Sequence, residues 1–238
     1  AELYFAWPGQ PSGRAPVGGA GSRTDSGAVG RFRKDLQRAR ASGYRLDLLF
    51  NANCYGAEAR SRVLERRVLE TLDCLEKWAG GADIVTTTSP AIAWIVKRHR
   101  PKVETRASVN MRIGTVEGMA YWADFFDGFH VQRECNRDMG RLEELREWAK
   151  EKGKRVFLLA NSGCLRHCSG QTFHDNLVAH EGGKPCSDAL EGFLPYTCWR
   201  FLSRRENWVG VLQATWIRPE DLAHYEGLCD GIKLATRL

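Results

Sequence analysis

Two cysteines with three residues between them, Cys164 and Cys168 in Asn161-Ser-Gly-Cys-Leu-Arg-His-Cys-Ser169, follow a hydrophobic run, Arg155–Ala160, that reads as a buried strand. Thiols so spaced, just past a strand end, can converge on one metal centre. Other cysteines lie near the ends of other predicted strands, which points to a four-thiolate site suited by softness to zinc or to an iron–sulfur cluster. Structural zinc usually takes two tight Cys-x-x-Cys knuckles, and this chain has none. Ligands scattered over several strand-end loops fit a cluster. Radical chemistry on S-adenosylmethionine would need a third cysteine after two more residues, where Gln171 stands.

The remaining cysteines divide. Cys54, in Asn51-Ala-Asn-Cys-Tyr-Gly56, sits immediately past the second predicted strand. Cys198, in Pro195-Tyr-Thr-Cys-Trp199, and Cys186, after Pro185, share a long segment with the first pair, Cys186 being a reserve ligand. Cys135 follows the fifth strand without a partner at useful spacing. Cys74, in mid-helix, and Cys229 read as small core residues.

Polar residues around these thiols supply the other candidates. His167 and His174 are acid–base candidates, and His180 reads as a surface residue. His174 and His180 stand six apart, so they do not form a His-Glu-x-x-His zinc helix. Asn51 and Asn161 end two strands and either bind a ligand or satisfy loop backbone. Arg133, ahead of Asn136, Arg137 and Asp138, either clamps a carboxylate or joins a helix-start network. Trp216 and Arg218 precede Pro219, which suits the first turn of a helix. His167, His174 and Arg218 are thus the catalytic candidates, and Asn51, Arg133, Asn161 and Trp216 those for substrate. No nucleophile stands beside an evident base, so simple hydrolysis lacks a mechanism at this level.

The elements that must carry these residues alternate from end to end. Strands are expected at Leu3–Ala6, Arg45–Asn51, Asp83–Thr87, Val103–Ser108, Gly128–Gln132, Arg155–Ala160, Val209–Gln213 and Gly231–Ala235. Helical patterns lie between them, as in Ala57–Trp78, where Leu64, Val68, Leu72 and Leu75 share a face. Eight strands with intervening helices describe an α/β chain of the (β/α)8 TIM-barrel type, one domain over residues 1–238, without a helix after the last strand. A doubly wound open sheet is the runner-up, though no Gly-x-Gly-x-x-Gly follows the first strand. Pro8–Gly30 reads as a mobile loop, and about 161–208 as a cysteine-bearing insertion on the active face.

With 238 residues and 43% apolar content, one sizeable core is within reach. The net charge of +6 and pI of about 9.0 come from basic residues spread along helices, which read as solvated faces. No basic-aromatic nucleic-acid module stands out, so RNA is not indicated. No apolar run reaches membrane-spanning length and no signal peptide is evident. Eight cysteines in a core-rich chain of this size read as reduced thiols in the cytoplasm.

Four stretches together resemble the U32 peptidase (collagenase-like) family: Asn51-Ala-Asn-Cys54, Asn161-Ser-Gly-Cys-Leu-Arg-His-Cys168, Thr215-Trp-Ile-Arg-Pro-Glu-Asp-Leu222 and Gly231-Ile-Lys-Leu-Ala-Thr-Arg237. The resemblance implies a barrel with a 4Fe–4S cluster on Cys54, Cys164, Cys168 and Cys198. It also implies a cluster-dependent redox enzyme, close to the family's oxygen-independent hydroxylases that use prephenate as oxygen donor. The substrate would be a small metabolite, a modified peptide or RNA. Two alternatives stand beside it: a hydrolase, as the family's name implies, and a non-catalytic subunit of a heterodimer with a second family member. The chain departs from the family pattern at Ser169, where a proline is usual, and at Ser162, where a glutamate is usual.

Overall fold

Why residues 45–50 form a strand is plain from their surroundings: Leu46, Leu48, Leu49 and Phe50 are all buried, on both faces of the strand. A parallel sheet covered by helices on both faces buries its strands that way. The computed structural model describes residues 1–13, 26–181 and 190–235, and in them seven strands lie in the sheet in chain order. Two compact units divide the chain, Ala1–Arg106 with Asp175–Cys186, and Ala107–His174 with Ser187–Leu238.

The first unit runs β1 (Glu2–Ala6), α1 (Ser26–Ala41), β2 (Arg45–Phe50), α2 (Arg62–Ala79), β3 (Ile84–Thr87), α3 (Pro90–His99) and the start of β4 (Glu104–Ala107). β1 and β3 both pair parallel to β2, with Phe5 opposite Leu48 and Val85 opposite Leu48 on the other side. Helix α2 starts where the Ser61 side chain accepts from the Leu64 amide, and ends at Gly80, whose φ of 71° favours glycine. Its Leu64, Val68, Leu72 and Leu75 pack on Leu46, Leu48 and Phe50 in one core. Truncating Leu75, fully buried, to alanine should cost about 2–5 kcal/mol.

The second unit contains α4 (Val116–Ala120), β5 (Gly128–His130), α5 (Met139–Glu151), β6 (Arg155–Leu159), α7 (Thr197–Leu202), α8 (Val209–Leu212) and β7 (Gly231–Lys233). Helix α6 (Gln171–Glu181) begins in it. β5 and β7 flank β6, both parallel to it. The expected seventh strand, Val209–Gln213, is instead the short helix α8, so the described residues carry seven strands and not the eight of a complete barrel. A four-residue apolar run does not distinguish strand from helix by period alone. Here the edge of β6 is taken by Gly231–Lys233, and Val209, Val211 and Leu212 remain exposed. The loop expected over Pro8–Gly30 yields to α1 from Ser26, while residues 14–25 lie outside the described residues. The long 161–208 segment holds α6 and α7.

The first unit also buries charge. Arg106, 1% exposed, donates from Nε to Glu104 at 2.5 Å and from Nη1 and Nη2 to Glu2 at 2.6 and 2.7 Å. Burial alone would pull this guanidinium down, but the hydrogen bonds to Glu2 and Glu104 more than reverse it, so Arg106 stays charged. Glu104 takes Arg45 as well, at 2.8 Å. Breaking a buried pair strands its partner, so Glu104→Gln should lower stability by about 3–5 kcal/mol. Arg38→Ala, at the exposed pair with Asp35, should change it by less than about 0.5 kcal/mol. Urea unfolding of the two variants measures the contrast.

Candidate functional site

The thiol segment leaves β6 and is pinned from one side. Thr215 donates its amide to the Cys164 carbonyl at 3.1 Å, and its hydroxyl lies 3.1 Å from the Ser162 carbonyl and 3.2 Å from that of Cys164. Thr215 is held in turn by Asn136, fully buried, whose side-chain amide donates to the carbonyls of Thr215 (2.7 Å) and Leu159 (2.9 Å). The Ile217 amide reaches Ala160 at 2.7 Å. Sequence reasoning noted Asn136 only as part of a helix-start network and Thr215 only as the first residue of a family-like stretch. The sole signal was a pair of polar residues flanking strands, which is too common to single out.

Past that anchor the chain turns sharply. His167 adopts φ 56°, in the left-handed region that an imidazole side chain seldom visits, and the Cys168 carbonyl accepts from Gln171 as α6 begins. Gly170 allows α7 to approach, since a Cβ there would meet the Thr197 hydroxyl at 2.1 Å. Cys164, Cys168 and Cys198 are free and half-buried. Burial raises the Cys198 thiol above the ordinary cysteine range; the Trp199 backbone draws it back, and the nearby Cys164 and Cys168 push it up again. The three thiols are therefore electrostatic neighbours. A cleft of about 330 Å³ opens beside them, lined by Leu165, Arg166, His167, Cys168, Ser169, Thr197, Phe201, Gly210 and Gln213.

The other expected site residues have partners of their own. His174 meets the edge of Tyr196 at 4.9 Å between ring centroids, and Tyr196 meets Trp199 at 4.7 Å. Asn161 clasps Ala235 in both directions at 2.6 Å, joining the exits of β6 and β7. Trp216 donates to the Val211 carbonyl at 3.1 Å and lies under the Arg137 guanidinium. Arg218, exposed, grips Asp221 with two hydrogen bonds of 2.7 and 2.5 Å, which hold Asp221 below the usual carboxylate range. Arg133 is buried and donates to Asn110 at 2.8 Å. In the first unit, Asn51 accepts from Ser12 and from the Gly13 amide, both at 3.1 Å, and the Cys54 sulfur accepts from the Gly56 amide.

Of the cysteines set aside, Cys135 is 3% exposed, with its thiol pushed up to about 11 by burial, while Cys74 and Cys229 are half-buried. Cys186 lies outside the described residues, and His180 is exposed. An all-sulfur donor set is right for a thiophilic centre. Among the described residues, however, no three His, Cys, Asp or Glu side chains already stand grouped to hold a metal ion.

No family model matches the chain. It is 22% identical over 205 residues to an uncharacterized protease of Methanocaldococcus jannaschii, a stretch covering 86% of this chain and 59% of that relative. The chain thus spans less than two thirds of the curated relative's length. The structure of the U32 peptidase Mk0906 matches 100% of this chain and 85% of its own, with a TM-score of 0.69 at 16% identity. That likeness establishes a shared α/β fold, and the two names agree with the U32 resemblance read from the sequence. No helix among the described residues is long and apolar enough to cross a membrane.

The neighbour relation of the thiols is open to direct measurement. In metal-free protein, alkylation of Cys198 should require a higher pH than an unperturbed thiol, because its thiolate is the disfavoured form. Replacing Cys164 and Cys168 together by serine should move that profile to lower pH. Peptide mapping after iodoacetamide treatment reads it, and an unmoved profile would separate the three sulfurs.

Proposed function

We propose that this chain is a U32-type hydrolase that cleaves a peptide or peptide-like substrate in the cleft beside Cys168. The observation that carries the reading is the cleft itself, where Cys168 and Ser169 stand next to His167 in a chain whose relative and fold neighbour are both named as proteolytic enzymes. In this reading Cys168 is the nucleophile and His167 the base that must deprotonate it, a thiol being a weak nucleophile until it ionises. His167 is exposed and so has room to swing, and catalytic hydrogen bonds often tighten only once substrate is bound. His174, held edge-on by Tyr196, is the second proton carrier. Arg166 and Gln213 offer donors to a substrate backbone, and Leu165 and Phe201 offer apolar contact. Asn51, Asn161, Trp216 and Arg218 act by fixing loops, through the partners already described.

A second reading is favoured by one specific observation, that Cys164 and Cys168 both lie near enough to Cys198 to push its thiol up. A nucleophile needs one thiol and a base; a cluster needs several thiols together. Those three would serve as ligands of a 4Fe–4S group, the cofactor that the family resemblance implies, which when bound supplies single-electron transfer. The chain would then be a redox enzyme, a hydroxylase in the family's sense, acting on a small metabolite, a modified peptide or RNA.

Protein purified without oxygen and assayed on a quenched peptide library separates the two. The hydrolase reading expects cleavage that survives iron chelation, falls at least about 100-fold in His167→Ala and vanishes in Cys168→Ala. Brown protein with no peptide cleavage, whose colour is lost in Cys164→Ala and kept in Cys74→Ala, would replace it by the redox reading.

A further inference from the structure

The second unit buries a second arginine, and among the described residues this one has no counter-ion. Arg133, 9% exposed, opens the 3-10 turn Arg133–Arg137 that follows β5. One of its five N–H donors reaches the side-chain oxygen of Asn110, a neutral amide, at 2.8 Å; its Nε, buried, meets no acceptor among the described residues. Among the described residues no carboxylate pairs with it. Arg106, in the other unit, is buried against two carboxylates. A charge taken from water without compensation costs several kcal/mol, so a buried guanidinium facing only an amide marks a place where charge comes from outside.

The surroundings are fixed beforehand. Asn110 sits in the tight turn Val109–Met111 after β4, where its amide is capped by the Ser108 hydroxyl. Two residues on, Arg112 adopts φ 57°, the left-handed conformation that side chains other than glycine avoid. The next residues are tied to the start of the Arg133 turn: the Gln132 amide donates to Ile113 at 2.7 Å, and a Cβ on Gly114 would come within 2.3 Å of the Gln132 side-chain nitrogen. Among the described residues two more buried atoms lack partners at the same strand ends, Asn136 Oδ1 in the Arg133 turn and Ser162 Oγ past the adjacent β6. Parallel α/β proteins keep their ligands at the carboxyl ends of strands.

We propose that Arg133, braced by Asn110, is the binding site of a small oxyanion, either a carboxylate or a phosphate group. The planar guanidinium suits both, and its free Nε supplies the donor that Asn110 leaves unused. The site does not depend on which reaction the thiol cleft performs.

Thermal unfolding of the full chain tests it with sodium succinate, inorganic phosphate and sodium chloride at matched ionic strength. At saturation, succinate or phosphate should raise Tm by roughly 5 °C beyond chloride. Succinate acting alone identifies a carboxylate ligand, and phosphate acting alone a phosphorylated one. Arg133→Met should abolish the shift. Asn110→Asp sets a carboxylate of the chain itself against the guanidinium, and should weaken the anion at least tenfold while leaving the fold intact. Should Arg133→Met fail to fold, Asn110→Asp decides alone. The proposal is overturned if neither anion outdoes chloride, or if the shift persists undiminished in Asn110→Asp. Neither outcome bears on peptide cleavage, which is read separately and without these anions.

Discussion

The second unit is organised around a buried side-chain amide. Asn136 donates one N–H to the end of β6 and the other to Thr215, and Thr215 then fastens the backbone on both sides of Gly163. A chain leaving a parallel strand has no ladder partner beyond the sheet, and its buried carbonyls must find donors elsewhere. Those donors come from a turn after β5 and from a stretch some fifty residues further on. Where Cys164 sits thus follows from hydrogen bonds made by residues that carry no chemistry themselves. An apolar residue at position 136 would leave two buried carbonyls unpaired and release the segment that bears the thiols.

Much of the fold was legible because the burial that shapes it follows simple periods. Leu64, Val68, Leu72 and Leu75 recur at helical spacing and all four are buried in α2. Apolar, β-rich runs marked the parallel strands; β1 and β3 end where expected, and the other five stop a residue or two earlier at their carboxyl ends. Val209–Leu212 broke the pattern, since four apolar residues fit either conformation and the sheet edge had already been filled by a stretch twenty residues later. The spacing of Cys164 and Cys168 drew attention to this segment, and both thiols act electrostatically on Cys198. Asparagine was harder to read. Asn51 and Asn161 read equally as ligand contacts or as loop supports; Asn51 accepts from the Ser12 hydroxyl and the Gly13 amide and Asn161 exchanges bonds with Ala235, because an asparagine carries donor and acceptor in one short group and can mimic a peptide.

Charge is treated in two ways in this chain. Arg106 sits where the residues opposite are acidic, and the result is a closed ionic lattice at the amino ends of the first strands. Arg133 sits at the opposite, carboxyl end of its strand, facing a neutral partner. Positive net charge over the whole chain says little about either, because exposed lysines and arginines are solvated. Among the described residues the informative arginines are Arg106 and Arg133, which water scarcely reaches.

The pairing of β7 with β6 joins Gly231 to Phe157, residues separated by most of the second unit's length. Contacts so distant in sequence form late, since a long loop must close before any of its bonds is gained. The thiol segment lies inside that loop, and its anchor at Thr215 lies inside it too. If β7 docks last, Cys164, Cys168 and Cys198 stay in an open loop until it does. Over that interval they are exposed to oxidants and to stray metal ions. How quickly β7 closes the sheet therefore governs how many molecules reach the native state with all three sulfurs still reduced.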